Sequence, residues 1–223
     1  MGIEAVSYRD RAGEHRITCD ALAMGFGLRP ETQLAELVGC RLDYDPWFRQ
    51  WLPACDSDGR AGEGVYLAGD GATVGGADAA EVSGRLAAYA LLEDRGVAPP
   101  PTPRRRLRRR LARLRRFQRG LARAFAWPYD WLVELPDETL VCRCEEISAG
   151  ALRQALQASL GPAEVNRLKA FTRFGMGRCQ GRFCGLAAAE LAATVLARPH
   201  REIGWLRAQA PVKPLPVSTV FES

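Results

Sequence analysis

At 223 residues and 47% apolar content the chain has room for one or two domains with buried cores. It lacks the run of about eighteen apolar residues that a membrane span needs, since the longest candidate, residues 186–197, is interrupted by Glu190. The net charge of +5 hides an uneven distribution: residues 104–123 hold eleven arginines and no acid, which leaves −6 for the rest, so this is one basic segment and not a basic protein. The first fifteen residues carry charges where a signal peptide needs an apolar core. Seven cysteines, an odd number with four in two close pairs, suit a metal site in a reducing cytoplasm better than a disulfide framework.

In chain order, residues 3–8 and 15–18 flank an Arg11-Ala12-Gly13-Glu14 turn and predict a hairpin. Residues 20–27 are an apolar run into glycines, expected as a strand that Pro30 ends, and residues 31–38 predict a short helix with Gly39 behind it. A strand around residues 65–68 leads to Gly69-Asp70-Gly71. Residues 78–92 then have helical spacing, with Gly96 as the stop and a start near Ala77. This order has a meaning at a dinucleotide. An aspartate at the carboxyl edge of a sheet accepts hydrogen bonds from ribityl or ribose hydroxyls, and a helix N-terminus favours the anion of a reduced flavin. Taken alone, the same corner is equally a sheet-to-helix turn in which Asp70 is only a cap.

Residues 97–103, VAPPPTP, read as a stiff linker and a domain boundary. Beyond it Leu107, Leu111, Leu114, Leu121 and Phe125 recur at helical spacing, with arginines on the other faces. That pattern admits a helix for nucleic acid or an anionic membrane. The reading adopted is a connecting helix that packs its leucine stripe on the preceding part or on a partner, with no nucleic acid bound. Trp127-Pro128-Tyr129-Asp130-Trp131 anchors its end, its tryptophans serving as packing.

The stretch from Cys142 to Cys184 carries the chemistry. It reads CRCEEIS, a helical interval, then GMGRCQGRFCG, so Cys142-x-Cys144 is followed, after thirty-four intervening residues, by Cys179-x4-Cys184. Four thiolates are the ligand count of a tetrahedral zinc or of an iron–sulfur cluster. Zinc knuckles usually space their cysteines by two or four residues, whereas a one-residue spacing suits a larger core in which each iron needs its own pair. An iron–sulfur cluster is the preferred reading; structural zinc and plain reduced cysteines stay open. Gly175, Gly177, Gly181 and Gly185 would let the backbone approach and aim N–H groups at sulfur. Arg143, Arg178 and Arg182 lie beside the four cysteines in sequence, where cations would ease reduction.

Around these residues, Ser148 is an N-cap for a helix over 149–160 that Gly161 ends, and Pro162 opens a second helix through about Thr172. A third helix, 183–197, points its N-terminus at the site near Cys184 and buries it with Leu186, Leu191 and Val195. The tail 210–216 is extended by its prolines. Cys19, Cys40 and Cys55 read as small buried hydrophobes. His15 and His200 lack ligand-spaced partners and read as surface or capping residues.

The C-x-C-E-E and G-M-G-x-C-Q-G-x-x-C pattern resembles the bacterioferritin-associated-ferredoxin-like 2Fe-2S domain over about residues 139–198. The version it resembles is fused to flavoprotein subunits of opine oxidases, hydrogen cyanide synthase and hydroxyproline or proline dehydrogenases, and to anaerobic glycerol-3-phosphate dehydrogenase. The resemblance implies a 2Fe-2S cluster on Cys142, Cys144, Cys179 and Cys184. Residues 19–30, CDALAMGFGLRP, with 64–71, GVYLAGDG, resemble the C-terminal third of the pyridine-nucleotide-disulfide-oxidoreductase-like FAD fold over about residues 17–96. That implies flavin contacts from Gly69, Asp70 and Gly75 or Gly76. The tail resembles the segment that crosses back over the flavin domain in related subunits.

No GxGxxG follows a strand, and no redox CxxC is present. The expectation is therefore an α/β C-terminal portion of a two-dinucleotide-binding-domain flavoprotein fold, followed by a small all-α 2Fe-2S domain, holding FAD weakly or not at all alone. The divisions expected are 1–96, 97–135, 136–199 and 200–223. The resemblance implies an electron-transferring subunit of a dehydrogenase for amines, imino acids or opines. A partner flavoprotein subunit would carry the substrate site, with a separate N-terminal FAD chain if the missing half is encoded apart. The rival is a stand-alone cluster module for electron delivery or redox sensing without flavin chemistry.

Overall fold

The computed structural model describes residues 2–213, 215, 216 and 218, except Phe26 and Pro99. The chain opens with a hairpin, β1 (Ala5–Asp10) and β2 (Gly13–Thr18). The Asp10 carboxylate accepts the Ala12 N–H at 2.7 Å and fixes the turn. The register sets Tyr8 opposite His15, whose rings stack at 4.9 Å. The strand expected over residues 20–27 does not form: its described residues lie outside any strand, and residues 21–25 are exposed. A strand needs a neighbour to satisfy its backbone, and β1 and β2 pair only with each other.

Helix α1 (Gln33–Leu37) falls inside the expected 31–38. A second hairpin, β3 (Leu42–Asp45) and β4 (Gln50–Pro53), has no counterpart in the sequence reading. Its turn is tied by Asp45, whose carboxylate accepts the N–H of Trp47 at 2.8 Å and of Phe48 at 3.2 Å. Strands β5 (Arg60–Gly62) and β6 (Val65–Tyr66) form a third pair, and a single 3-10 turn, Gly69–Gly71, follows.

Helix α2 (Ala77–Asp94) begins at the expected residue and buries Ala79, Val82, Leu86 and Ala90, one face by spacing. Helix α3 (Pro101–Ala124) packs on it through Leu107, Leu111 and Leu114, so the leucine stripe does face the preceding part. The linker is shorter than expected because prolines in a first helical turn lose no hydrogen bond, and α3 starts at Pro101. Two arginines of α3 neutralise a buried acid. Arg104 and Arg108 both bond Asp58, which is 1% exposed. Burial pushes that carboxyl up, but the Arg108 and Arg104 hydrogen bonds outweigh it and hold Asp58 below the usual carboxylate range. The far end of the stripe stays open, with Leu121 37% and Phe125 80% exposed.

Beyond α4 (Asp130–Val133), the last part packs four helices around a small hairpin, β7 (Leu140–Cys142) with β8 (Ile147–Ser148). The helices are α5 (Ala149–Gln157), α6 (Leu168–Thr172), α7 (Gly185–Val195) and α8 (His200–Ile203). Ser148 caps α5 as expected, its hydroxyl accepting the Ala151 N–H at 3.2 Å. The helix expected over 162–172 is reduced to α6, because the Val165 N–H bonds the Ile203 carbonyl at 2.9 Å instead of a helical partner. Val165, Leu152, Leu168, Phe174, Leu191 and Ile203 make the core, and Cys142 and Cys184 belong to it.

The segment after α8 turns back across the first half. Glu36 accepts the Trp205 indole N–H at 2.8 Å and the Ala208 N–H at 2.8 Å, and Trp205 packs on Trp51. Of the extended tail expected over 210–216, Pro214 lies outside the described residues. Among the described residues no helix is long and apolar enough to cross a membrane.

Candidate metal centre

Three elements bring the four cysteines together: the end of β7 supplies Cys142, the β7–β8 turn Cys144, and the loop into α7 supplies Cys179 and Cys184. The sulfurs lie near one another across the motif, and Cys184 feels the charge of Cys179 as well as of Cys142. Cys142 pairs with Cys184, and Cys144 with Cys179. Each close contact therefore joins one cysteine from each end of the sequence motif, not neighbours along the chain.

The pairs differ in depth: Cys142 and Cys184 are each 1% exposed, while Cys179 is half-buried and Cys144 exposed. Burial, joined by the nearby Cys142 sulfur, pushes the Cys184 thiol far up. Burial also pushes Cys179 up, but the backbone N–H of Phe183, the Cys144 thiol and the N–H groups of Gly181 and Arg182 outweigh it, leaving Cys179 below the usual thiol range. A loop that aims backbone N–H groups at a sulfur has the chemistry of a thiolate cradle, and the donor set fits a cluster held by four cysteines.

The glycines of the loop have a more specific use than the general closeness expected of them. A side chain at Gly177 would collide with the Cys144 Cβ, so its absence lets the two halves of the motif meet. At Gly181, where φ is +76°, and at Gly175 an added Cβ would lie 2.5 and 2.7 Å from the Leu206 side chain, which closes over the loop from the segment after α8. Of the three arginines beside the cysteines, Arg143 and Arg178 are exposed. Arg182 is fixed: its guanidinium donates to Glu31 at 2.6 Å, to the Cys179 carbonyl at 3.3 Å and to the Val212 carbonyl at 2.7 Å.

The loop is gripped by the first half of the chain. Arg29 donates to the Arg182 carbonyl at 2.8 Å and Gln33 to the Gln180 carbonyl at 3.0 Å. Glu31, between them, donates its N–H to the Asp70 carbonyl at 3.1 Å. Gly69 and Asp70 lie in the 3-10 turn, and Gly75 and Gly76 at the end of the loop that joins it to α2. Asp70 is exposed, the Gly69 N–H donates to Ser83, and the Gly75 carbonyl accepts from Gln118. Gly76 is the N-cap of α2, whose first turn has no side-chain cap. An exposed acceptor beside an uncapped helix start fits the flavin end of a dinucleotide.

A second contact between the halves escaped the sequence reading. Glu190 on α7 is 4% exposed and accepts Arg49 Nε at 2.7 Å, while His200 Nε2 lies 2.8 Å from it and stacks on Tyr44 at 5.2 Å. His200 is thus a half-buried partner of a carboxylate and not a surface residue. Burial pushes the Glu190 carboxyl up, but hydrogen bonds to His200 and Arg49 hold it below the ordinary glutamate range. A lone acid inside the apolar run 186–197 was the available signal. Of the three lone cysteines, Cys40 is buried as expected, whereas Cys19 and Cys55 are only half-buried.

Comparison with known proteins matches residues 140–194 to the BFD-like 2Fe-2S binding domain family. An opine oxidase subunit of Agrobacterium tumefaciens (strain Ach5) is 40% identical over 220 residues, covering 95% of this chain and 43% of that one. Hydrogen cyanide synthase subunit HcnB of Pseudomonas protegens is 35% identical over 216 residues, covering 94% and 44%. The crystal structure of L-proline dehydrogenase from P. horikoshii superposes with a TM-score of 0.71 at 22% identity, covering 97% of this chain and 42% of that one. The chain thus spans less than half the length of these relatives. Residues 140–194 thus match the BFD-like 2Fe-2S binding domain family, and the chain shares the α/β fold of part of that dehydrogenase structure.

Proposed function

We propose that the chain is the electron-transferring portion of a heteromeric FAD-dependent dehydrogenase for an amine, imino acid or opine-like substrate. A partner subunit carries the substrate site. Similarity to subunits named for opine oxidase and hydrogen cyanide synthase supports the substrate class. In this reading Cys142, Cys144, Cys179 and Cys184 hold the cluster, Gly69, Asp70, Gly75 and Gly76 contact the flavin end of FAD, and the functional divisions run 1–96, 97–135, 136–199 and 200–223. A reducing cytoplasm suits seven free cysteines.

The observation that carries the reading is the docking of the Gln180–Arg182 loop on Arg29, Glu31 and Gln33, with the Glu31 N–H also bonded to the Asp70 carbonyl. When bound, FAD accepts electron pairs and the cluster passes electrons singly. The chain's own work is positioning. Arg29 and Gln33 hold the carbonyls of the cysteine loop, Leu206 shields it, and backbone N–H groups favour negative sulfur. Leu28, Trp47, Phe125 and Phe183, 79, 45, 80 and 88% exposed, surround a groove of about 560 Å³ beside that loop. Such a patch suits the proposed partner subunit.

The test is anaerobic co-purification with a partner flavoprotein and the FAD-binding remainder, followed by addition of proline or an opine. Substrate-dependent bleaching of the visible iron–sulfur absorption is expected only in the complex. Bleaching by a reductant with no dependence on flavin or partner supports the stand-alone module instead.

A further inference from the structure

We infer that Glu31 and Arg182 act as a charge pair that sets the cluster's reduction potential, with Glu31 as a positioning residue shared by the two cofactor sites. This rests on the cluster and flavin assignments proposed above. Arg182 lies between Cys179 and Cys184, and three acceptors hold its guanidinium: the Glu31 carboxylate, the Cys179 carbonyl and the Val212 carbonyl. It has one orientation in which to act. Glu31 is fixed from the other side, because its N–H is bonded to the Asp70 carbonyl. One residue therefore reaches the flavin turn through its backbone and the cysteine loop through its side chain.

The sign follows from charge. Adding one electron adds one negative charge among four thiolates, which the Arg182 guanidinium favours and the Glu31 carboxylate opposes. Glu31 thus moderates a cation that would otherwise make reduction easier. Its two flanking residues carry the mechanical load: Arg29 and Gln33 bond the carbonyls of Arg182 and Gln180, so the loop keeps its path when the carboxylate is neutralised. The pair is partly exposed, with side chains 22 and 41% accessible, so screening reduces the effect without changing its direction.

The experiment is an EPR-monitored redox titration of the anaerobically purified chain and of Glu31→Gln, Arg182→Gln, Glu31→Asp and the Glu31→Gln/Arg182→Gln double variant. The midpoint potential should rise in Glu31→Gln, fall in Arg182→Gln, and return toward the parent in the double variant and in Glu31→Asp. A structural role alone would lower iron content without opposite shifts. Equal potentials throughout, or shifts of one sign, overturn the inference while leaving the cluster in place. A parent chain with no reducible iron–sulfur signal overturns the cluster assignment and the inference with it. If Arg182→Gln loses its iron, Glu31→Gln against Glu31→Asp decides.

Discussion

The two halves of the molecule are stabilised in different ways. Residues 140–203 surround one continuous core, with Leu152, Val165, Leu168, Phe174 and Ile203 fully buried, and candidate ligands built into it. Before residue 97, the described strands form three separate two-stranded pairs, and Leu22, Met24, Leu28 and Leu34 are 44, 71, 79 and 64% exposed. An isolated hairpin is marginal in water. Order in the first half comes instead from α2 against α3 and from polar ties to the second half. The lesson is that the cysteine-bearing half holds a continuous core, whereas the described strands of the first half are separate pairs with polar ties to it.

Four substitutions sharpen that contrast, from the largest effect to the smallest. Cys184→Ser removes a candidate ligand from the core, and iron content measured after anaerobic purification should fall to background while α2 and α3 keep their helical signal. Retained iron would break the ligand assignment.

Glu190→Gln strikes the joint between the halves. Leaving Arg49 without its carboxylate should cost about 3 kcal/mol in urea unfolding. The same pair gives the parent a pH dependence. Glu190 is depressed in the folded state, so its contribution is complete above the ordinary glutamate range and is lost as pH falls through the lower folded value. Urea midpoints between about pH 5 and pH 3 should fall more steeply in the parent than in the variant. Parallel curves would remove this tie from the account.

Gly181→Ala forces a left-handed φ and a clash with Leu206 upon the cysteine loop. It should cost about 2 kcal/mol, and combination with Leu206→Ala should recover the steric share only. Ser148→Ala removes a single cap from α5, and a loss of about 1 kcal/mol in thermal unfolding is expected.

Much of this arrangement was legible in the chain, and the failures have a common cause. Signals that act within a few residues were read correctly: the hairpin turning after Arg11, the Ser148 cap, the start of α2 near Ala77, and the leucine stripe of α3. The cysteine spacing pointed to a candidate metal site, yet not that cysteines from opposite ends of the motif lie side by side, which depends on the missing side chain of Gly177. The strand at 20–27 and the helix from Pro162 were misread because distant partners decided them: an absent neighbouring strand in one case and the Ile203 carbonyl in the other. The ties of Arg49 to Glu190 and of Glu31 to Arg182 join residues 141 and 151 positions apart, beyond any local pattern.

Iron, zinc and acid-labile sulfide determined on the anaerobically purified chain test the central claim most directly. Iron and sulfide in equal amounts, about two of each per chain as a 2Fe-2S core requires, are expected. One zinc per chain with no sulfide would contradict it.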